Sequence, residues 1–165
     1  MIHKAYQLGV EYEGAYRGCA QCTIAAIHDT LGIPNNDVFK AAAGLSGGVG
    51  RAGDGSCGAY IGGAMVLSSL AGRERNDFIN SEGKLEEACL LAMSLHDKFI
   101  AHYGTVTCRD IHTKIFGRPF YLPDDDEIEK FRAAGAYLDK CTKVVGLAAE
   151  WVTQLVLEKG LLKQP

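Results

Sequence analysis

The sequence predicts an all-α protein, a single multi-helix domain of seven or eight helices over residues 1–165. Apolar residues recur mostly three and four positions apart, and no alternation of apolar and polar residues is long enough to indicate a sheet. No internal repeat or linker divides the chain. A chain of this length should bury roughly 70% of its unfolded surface, which is enough for one core without disulfides.

Four helices are predicted in the first half of the chain: a short one ending near Glu11, then residues 22–31, 37–45 and 59–70. Gly32 and Pro34 stop the second helix, and Asn36 can cap the third. The fourth helix is rich in small residues, and Gly62 and Gly63 favour close backbone packing on its surface.

Four more helices are predicted in the second half: residues 84–103, 108–116, 124–134 and 141–157. The first of them should be the central helix, ending at Gly104. Thr107-x-x-Asp110 has the form of a capping box for the next helix. The acidic run 124–127 suits a first helical turn, and Gly135 marks a break before the last helix.

Four of the six cysteines, Cys19, Cys57, Cys108 and Cys141, fall where these helices should begin. A thiol in the first turn of a helix faces unpaired backbone N–H groups and the positive end of the helix dipole, which stabilise its thiolate. The sequence therefore predicts lowered pKa values at these thiols. Thiol-based chemistry is the activity that the chain indicates most strongly.

The composition limits location and partners. The N-terminus has no apolar signal core, and no window approaches the about 20 apolar residues of a membrane span, so we expect a cytoplasmic protein. In a reducing compartment, clustered cysteines more often bind metal or act in catalysis than form structural disulfides. The net charge of -3 and the scattered Lys and Arg residues argue against a nucleic-acid partner.

A glycine-rich loop precedes the second of these cysteines, since residues 44–58 hold seven glycines. The pattern contains, in order, Cys19-Ala20-Gln21, Gly47-Gly48-Val49-Gly50, Cys57-Gly58-Ala59-Tyr60-Ile61-Gly62-Gly63-Ala64-Met65, Cys108-Arg109-Asp110 and Cys141. From Cys19 to about Trp151, the chain resembles the family of redox-active proteins named for the signature C_GCAxxG_C_C.

The resemblance implies an α-helical, cytoplasmic, redox-active protein with an iron–sulfur cluster or another metal as its expected cofactor. The family's cysteines correspond here to Cys19, Cys57, Cys108 and Cys141. The loop that would support them contains Gly47, Gly48, Gly50, Gly58 and Gly62. Cys22 is an additional thiol, which leaves open whether Cys19 or Cys22 is the working ligand. Cys89 has no counterpart, and its helical spacing predicts a core position.

The chemistry of the cysteines leaves several functions open. Four converging thiolates suit zinc, iron or an iron–sulfur cluster, and they would serve electron transfer or redox sensing with an unknown redox partner. The spacing differs from zinc modules built of two close cysteine pairs, but a structural or regulatory zinc site without turnover stays an alternative. Cys19 and Cys22 could also form a metal-free thiol–disulfide couple. Whether the protein is an enzyme stays open.

Weaker signals complete the sequence analysis. Gly48-x-Gly50-x-x-Gly53 matches a dinucleotide fingerprint, but no strand precedes it. Arg51 and Asp54 in the same loop could contact an anion or be solvated. His112 lies one helical turn after Cys108 and could complete a metal site, although a simple core or surface position is favoured. A further alternative is an interaction protein, a homodimer for example, that packs its Gly62, Gly63 and Ala64 face on a partner.

Overall fold

The computed structural model describes residues 1–162 and confirms the all-α fold class. Its eight α-helices are α1 (Ile2–Ala15), α2 (Cys19–Leu31), α3 (Asn36–Ala41), α4 (Gly58–Ala71), α5 (Lys84–Tyr103), α6 (Cys108–Phe116), α7 (Asp125–Ala133) and α8 (Cys141–Glu158). Two short 3-10 turns, Ala43–Leu45 and Arg75–Asp77, and a π-helical turn, Ala136–Lys140, complete the helical structure. Within the described residues, one isolated antiparallel bridge joins Ser56 to Thr107.

The last helix, α8, is the centre of the core, and α1, α2, α4 and α5 pack around it. The α1–α8 crossing is close because two glycines meet there. A Cβ atom added to Gly9 would lie 2.9 Å from the Cα atom of Gly146. This close approach sets the N-terminus of α8 beside the C-terminal half of α1.

The small residues of α4 are used inside the molecule. The backbone of Gly62 lies against the Ala20 carbonyl of α2, and Gly63 faces Leu95 of α5 and Val152 of α8. Both glycines are buried. The prediction of close backbone packing is confirmed. The alternative that Gly62, Gly63 and Ala64 pack on a partner subunit is wrong for the two glycines, because α2, α5 and α8 already cover them.

Two N-caps differ from the sequence predictions. The third helix is capped by Asn35 and not by Asn36, since the Val38 N–H donates to Asn35 Oδ1 at 3.1 Å. The Thr107 side chain caps nothing. The first N–H groups of α6 instead donate to loop carbonyls, Cys108 N to Gly55 O at 3.0 Å and Arg109 N to Gly53 O at 2.8 Å. Carbonyls of the glycine-rich loop, and not the predicted capping box, therefore accept the first N–H groups of α6.

Other element boundaries are close to prediction. The first helix continues to Ala15, past its predicted end near Glu11, whereas α5 has the predicted bounds. Asp124 caps α7 as the acidic run indicated, accepting a hydrogen bond from Glu127 N at 3.0 Å. The α5 helix is not central: it lies at the side of the core and exposes Leu90 and Met93. No helix among residues 1–162 is long and apolar enough to cross a membrane.

Candidate functional site

The four predicted cysteines lie at four helix N-termini, as the sequence indicated. Cys19, Cys108 and Cys141 are the first residues of α2, α6 and α8, and Cys57 is the N-cap of α4. All four line one cavity of about 530 Å³. Since these residues are far apart in the sequence, the tertiary structure makes them neighbours. The four thiols therefore share one cavity.

Backbone pairing between two loops places Cys57 next to Cys108. The Ser56–Thr107 bridge aligns the loops, and the Cys57 N–H donates to Val106 O at 2.7 Å. Gly48 lies against the other side of Cys108, where an added Cβ atom would be 3.0 Å from the Cys108 Cβ. The glycine-rich loop thus holds the two α-helix starts at a fixed separation.

The Cys19 sulfur occupies space that only a glycine leaves open. A Cβ atom on Gly58 would overlap Cys19 Sγ, and the Gly47 backbone N–H also faces this sulfur. Because Gly58 follows Cys57, the glycine brings the N-termini of α2 and α4 together. Among the loop residues predicted to support the site, Gly47 faces Cys19 and Gly48 lies against Cys108. Gly62 packs α4 on α2 instead, and an added Cβ atom at Gly50 would have no atom within 4 Å.

His112 joins the site through its Nε2 atom. This nitrogen lies 3.6 Å from Cys108 Sγ and 3.9 Å from Cys141 Sγ, so the two sulfurs are no farther apart than the sum of these distances. The ring packs among Phe116, Phe120 and Phe131, which shield it from solvent. The sequence favoured a simple core or surface role for His112, but the structure puts it between two of the predicted cysteines.

The comparisons with known proteins bear on this arrangement. The family described as "Putative redox-active protein (C_GCAxxG_C_C)" matches residues 18–155, which is most of the chain. The chain belongs to this family. Comparison with curated proteins and with solved structures gives no match. The C_GCAxxG_C_C signature therefore covers the same region that supplies all four cysteines of the cavity.

The acidity of the family cysteines differs from the sequence prediction. Burial raises the pKa of the Cys57 and Cys108 thiols to about 12. Burial also raises the pKa of Cys19 and Cys141, and the neighbouring thiolates would add mutual repulsion. Backbone N–H groups of Ala59 and Tyr60 oppose the rise at Cys57, but desolvation outweighs them. The predicted lowering of the thiol pKa is therefore wrong, and without a bound cation the thiols are protonated at neutral pH.

Glu13 is a residue of this cavity that the sequence analysis missed. It lies on α1 with only 3% of its surface exposed, and its Oε2 atom has no hydrogen-bond partner. Burial raises the pKa of its carboxyl from 4.5 to about 7, while a hydrogen bond with Cys22 and the charge of Arg17 oppose the rise. A single acid in the helix before Cys19 gives no signal in the sequence. The packing of α1 on α2 and α8 brings it to the thiols.

The remaining cysteines lie outside the group of four. Cys22 is buried and donates from Sγ to the Arg17 carbonyl at 3.2 Å, and it does not line the cavity of the four family cysteines. Cys89 is exposed on α5, so its predicted core position is wrong. Cys89 does lie in a helix, but the buried side of α5 is formed by other residues, such as Ala88 and Leu91.

The spacing of the donors is wider than a single ion requires. Within residues 1–162, no three His, Cys, Asp or Glu side chains are grouped closely enough to hold one metal ion. Three lining residues nevertheless carry buried polar atoms without a partner: Glu13 Oε2, Ser46 Oγ and His112 Nδ1. Buried orphaned polar atoms are rare in folded proteins, and here three of them belong to residues that line the same cavity. The cavity therefore has the polar lining of a binding site.

Proposed function

We propose that Cys19, Cys57, Cys108 and Cys141 hold an iron–sulfur cluster, and that the protein transfers electrons or senses redox state with it. The observation that carries this proposal is the convergence of four family thiols, each at the start of a separate helix, on one cavity. A bound cluster supplies one-electron redox chemistry. The coarser conclusion, that this is a member of a redox-active family, follows from the family match itself.

The residues around the cavity fit such a group. Thiolates are the ligands that iron–sulfur clusters use. The missing Cβ of Gly58 leaves room for Cys19 Sγ. The N–H groups of Ala59 and Tyr60 face Cys57 Sγ and can donate to its thiolate. Hydrogen bonds to cluster sulfurs raise the reduction potential.

His112 would act beside the ligands and not replace them. Burial lowers the pKa of its imidazole to about 4, so the ring is neutral at physiological pH. A neutral ring has one N–H, which Nε2 can donate toward Cys108 and Cys141. His112 would thereby stabilise negative charge on two ligand sulfurs without adding a full charge.

The two alternatives have less support from the geometry. A structural or regulatory zinc site needs four donors around one ion at about 2.3 Å, whereas these thiols surround a wider space. A metal-free thiol–disulfide couple would pair Cys19 with Cys22. The Cys22 thiol, however, donates a hydrogen bond to the Arg17 carbonyl and faces Glu13, and it does not line the cavity that Cys19 lines. We place the protein in the reducing cytoplasm, with an electron-donating or electron-accepting partner.

The test begins with protein purified without oxygen or chelator. We expect visible absorption that dithionite bleaches, with iron and sulfide in matching amounts. Cys57→Ser should remove the absorption, whereas Cys89→Ser, an exposed thiol outside the cavity, should keep it. Cys22→Ser should also keep it, because Cys19 is the proposed ligand.

Three results would contradict a cluster held by these four cysteines. Colourless protein with stoichiometric zinc would favour the structural or regulatory zinc site. Metal-free protein that forms a Cys19–Cys22 disulfide on mild oxidation would favour thiol–disulfide exchange. Absorption that survives Cys57→Ser but is lost in Cys22→Ser would identify a different set of ligands.

A further inference from the structure

Arginines line the cavity as well as the thiols. Arg17, in the connection between α1 and α2, and Arg51, in the glycine-rich loop, both line it. The whole cavity of about 530 Å³ lies within the range of about 300–1,000 Å³ that small-molecule sites occupy. It is lined by more than the cysteines, so a cluster on the thiols would leave other lining residues to be explained.

Neither arginine has an anionic partner in the protein. Within the described part of the chain, the ion pairs include neither Arg17 nor Arg51. Arg132, which also lines the cavity, is paired with Glu129 at 2.6 Å. The Arg17 guanidinium lies 4.8 Å from the centre of the Tyr137 ring, which orients it without neutralising it.

Both arginines stand on unusual backbone. Each has a φ of 64°, in the left-handed region that favours glycine. Gly47, Gly48 and Gly50 adopt the same region, and so does Val49 in the same loop. Glycine can therefore replace either arginine without backbone strain.

Ser46 lies between the two segments that carry these arginines. Arg51 N donates to Ser46 O at 3.1 Å, and a Cβ atom on Gly18, next to Arg17, would lie 3.8 Å from Ser46 Oγ. Ser46 Oγ is buried and faces the Cys19 thiol. Two guanidiniums without an ion pair and a buried hydroxyl are donors that can bind an oxyanion.

We propose that Arg17, Arg51 and Ser46 form a binding site for a small oxyanion, a phosphate or a carboxylate, in the same cavity as the cysteines. The inference rests on the proposed function, because it makes the oxyanion a ligand or substrate beside the redox group. Glu13 is the acidic group on this cavity, and its charge acts on Arg17. Two arginines against one carboxyl leave a net positive charge, which favours binding of an anion.

The test measures binding of inorganic phosphate and of acetate to the anaerobic protein by calorimetry, at constant ionic strength set with chloride. We expect saturable binding of at least one of the two probes, one per chain, and which of them binds separates a phosphate site from a carboxylate site. Arg51→Gly and Arg17→Gly should each weaken binding at least tenfold. Glycine suits a φ of 64°, so these variants should fold.

Two controls match these variants. Val49→Gly changes the same loop at the same φ of 64° but removes no charge. Arg75→Ala removes an arginine outside the cavity. Both should bind the anion as the wild type does. Equal affinity in Arg51→Gly and Val49→Gly, or no saturable binding of either probe to the wild type, would overturn the oxyanion site.

The same samples separate this inference from the proposed function. Visible absorption and iron content report the cluster, and calorimetry reports the anion. Coloured protein that binds neither probe would refute the oxyanion site and leave the cluster standing. In that case, a shift in the reduction potential of the cluster in Arg51→Gly would show that the arginines balance the negative charge of the ligand thiolates. Colourless protein that binds the probe through Arg51 would refute the cluster and keep the oxyanion site.

Discussion

Among single residues, Glu13 has the environment least suited to its ordinary charge. Its carboxyl is buried, one oxygen has no partner, and the cavity beside it contains four thiols. Burying an unpaired polar group costs free energy, and a protein tolerates this mostly where function needs the group. The stability of the folded chain should therefore depend on the ionisation of Glu13.

We predict that Glu13→Gln stabilises the metal-free protein at alkaline pH. The folded pKa of about 7 lies above the ordinary value of 4.5, so the Glu13 contribution to stability is present below pH 4.5 and is lost as pH rises through 7. Above that pH, the variant should be more stable than the wild type by about 3 kcal/mol. Urea unfolding of both proteins from pH 5 to pH 8 measures the difference.

His112 changes the stability with pH in the direction opposite to Glu13, but its effect is the same in both proteins and cancels in their difference. Burial lowers the His112 pKa to about 4, so its contribution is lost as pH falls from its ordinary 6.5 toward 4, in both proteins alike. A stability difference between Glu13→Gln and the wild type that stays constant from pH 5 to pH 8 would contradict the assignment of a raised pKa to Glu13.

A second residue-scale prediction concerns Gly58. Gly58→Ala should displace Cys19, because the new Cβ atom would overlap Cys19 Sγ. Overpacking of this kind costs about 1–3 kcal/mol. The variant should also bind less iron, because one of the four thiols has moved. Iron content and urea unfolding provide the two measurements.

The control for this variant is Gly44→Ala, since an added Cβ atom at Gly44 has no atom within 4 Å. It should change neither iron content nor stability by a measurable amount. Normal iron content in Gly58→Ala would show that Cys19 does not depend on this glycine for its position.

Among the elements, the start of α6 shows how one helix end can be stabilised by a distant loop. Its first N–H groups donate to Gly55 and Gly53 carbonyls, and the Thr107 hydroxyl accepts no hydrogen bond from them. The Asp124 carboxylate, in contrast, accepts the Glu127 N–H of α7. The two helix starts look similar in sequence but are stabilised by different parts of the chain.

We predict that Thr107→Ala and Asp124→Ala therefore differ in their cost. Asp124→Ala should destabilise the protein by about 1 kcal/mol, the usual value of a lost side-chain N-cap, and Thr107→Ala by less than about 0.5 kcal/mol. Urea unfolding of the two variants at one pH measures both. An equal loss of stability would show that Thr107 caps α6 after all.

Over the whole molecule, the four family cysteines link helices that are distant in the chain. Cys19, Cys57, Cys108 and Cys141 stand on α2, α4, α6 and α8, so a group bound to all four would cross-link half of the helices. A ligand that binds only the folded protein stabilises it by mass action. The thermal stability of the chain should report on occupancy.

We predict that the cluster-loaded protein unfolds at a higher temperature than the metal-free protein. A concentration of about 1,000 times Kd adds roughly 4 kcal/mol, which corresponds to a shift of about 10 °C in a chain of this size. Differential scanning calorimetry without oxygen measures the shift. Cys89→Ser should keep the shift and Cys57→Ser should lose it; equal melting of loaded and metal-free protein would contradict a shared site.

The sequence by itself determined the all-α class, the family and the placement of four cysteines at helix starts. These properties depend on short-range signals: apolar residues at helical spacing, and breaks such as Gly18, Gly104 and Gly135, which all have positive φ. A helix start is a local event, so a local pattern predicts it. Even its failures were small, such as the cap at Asn35 in place of Asn36.

Only the tertiary structure decided what surrounds the cysteines. It brought Glu13 and His112 to the thiols and raised the thiol pKa values that the helix N-termini were expected to lower. It also left Cys89 exposed and packed Gly62 and Gly63 inside the molecule. The physical reason is that desolvation and contact depend on all the atoms around a group, whereas a helix dipole acts within one turn.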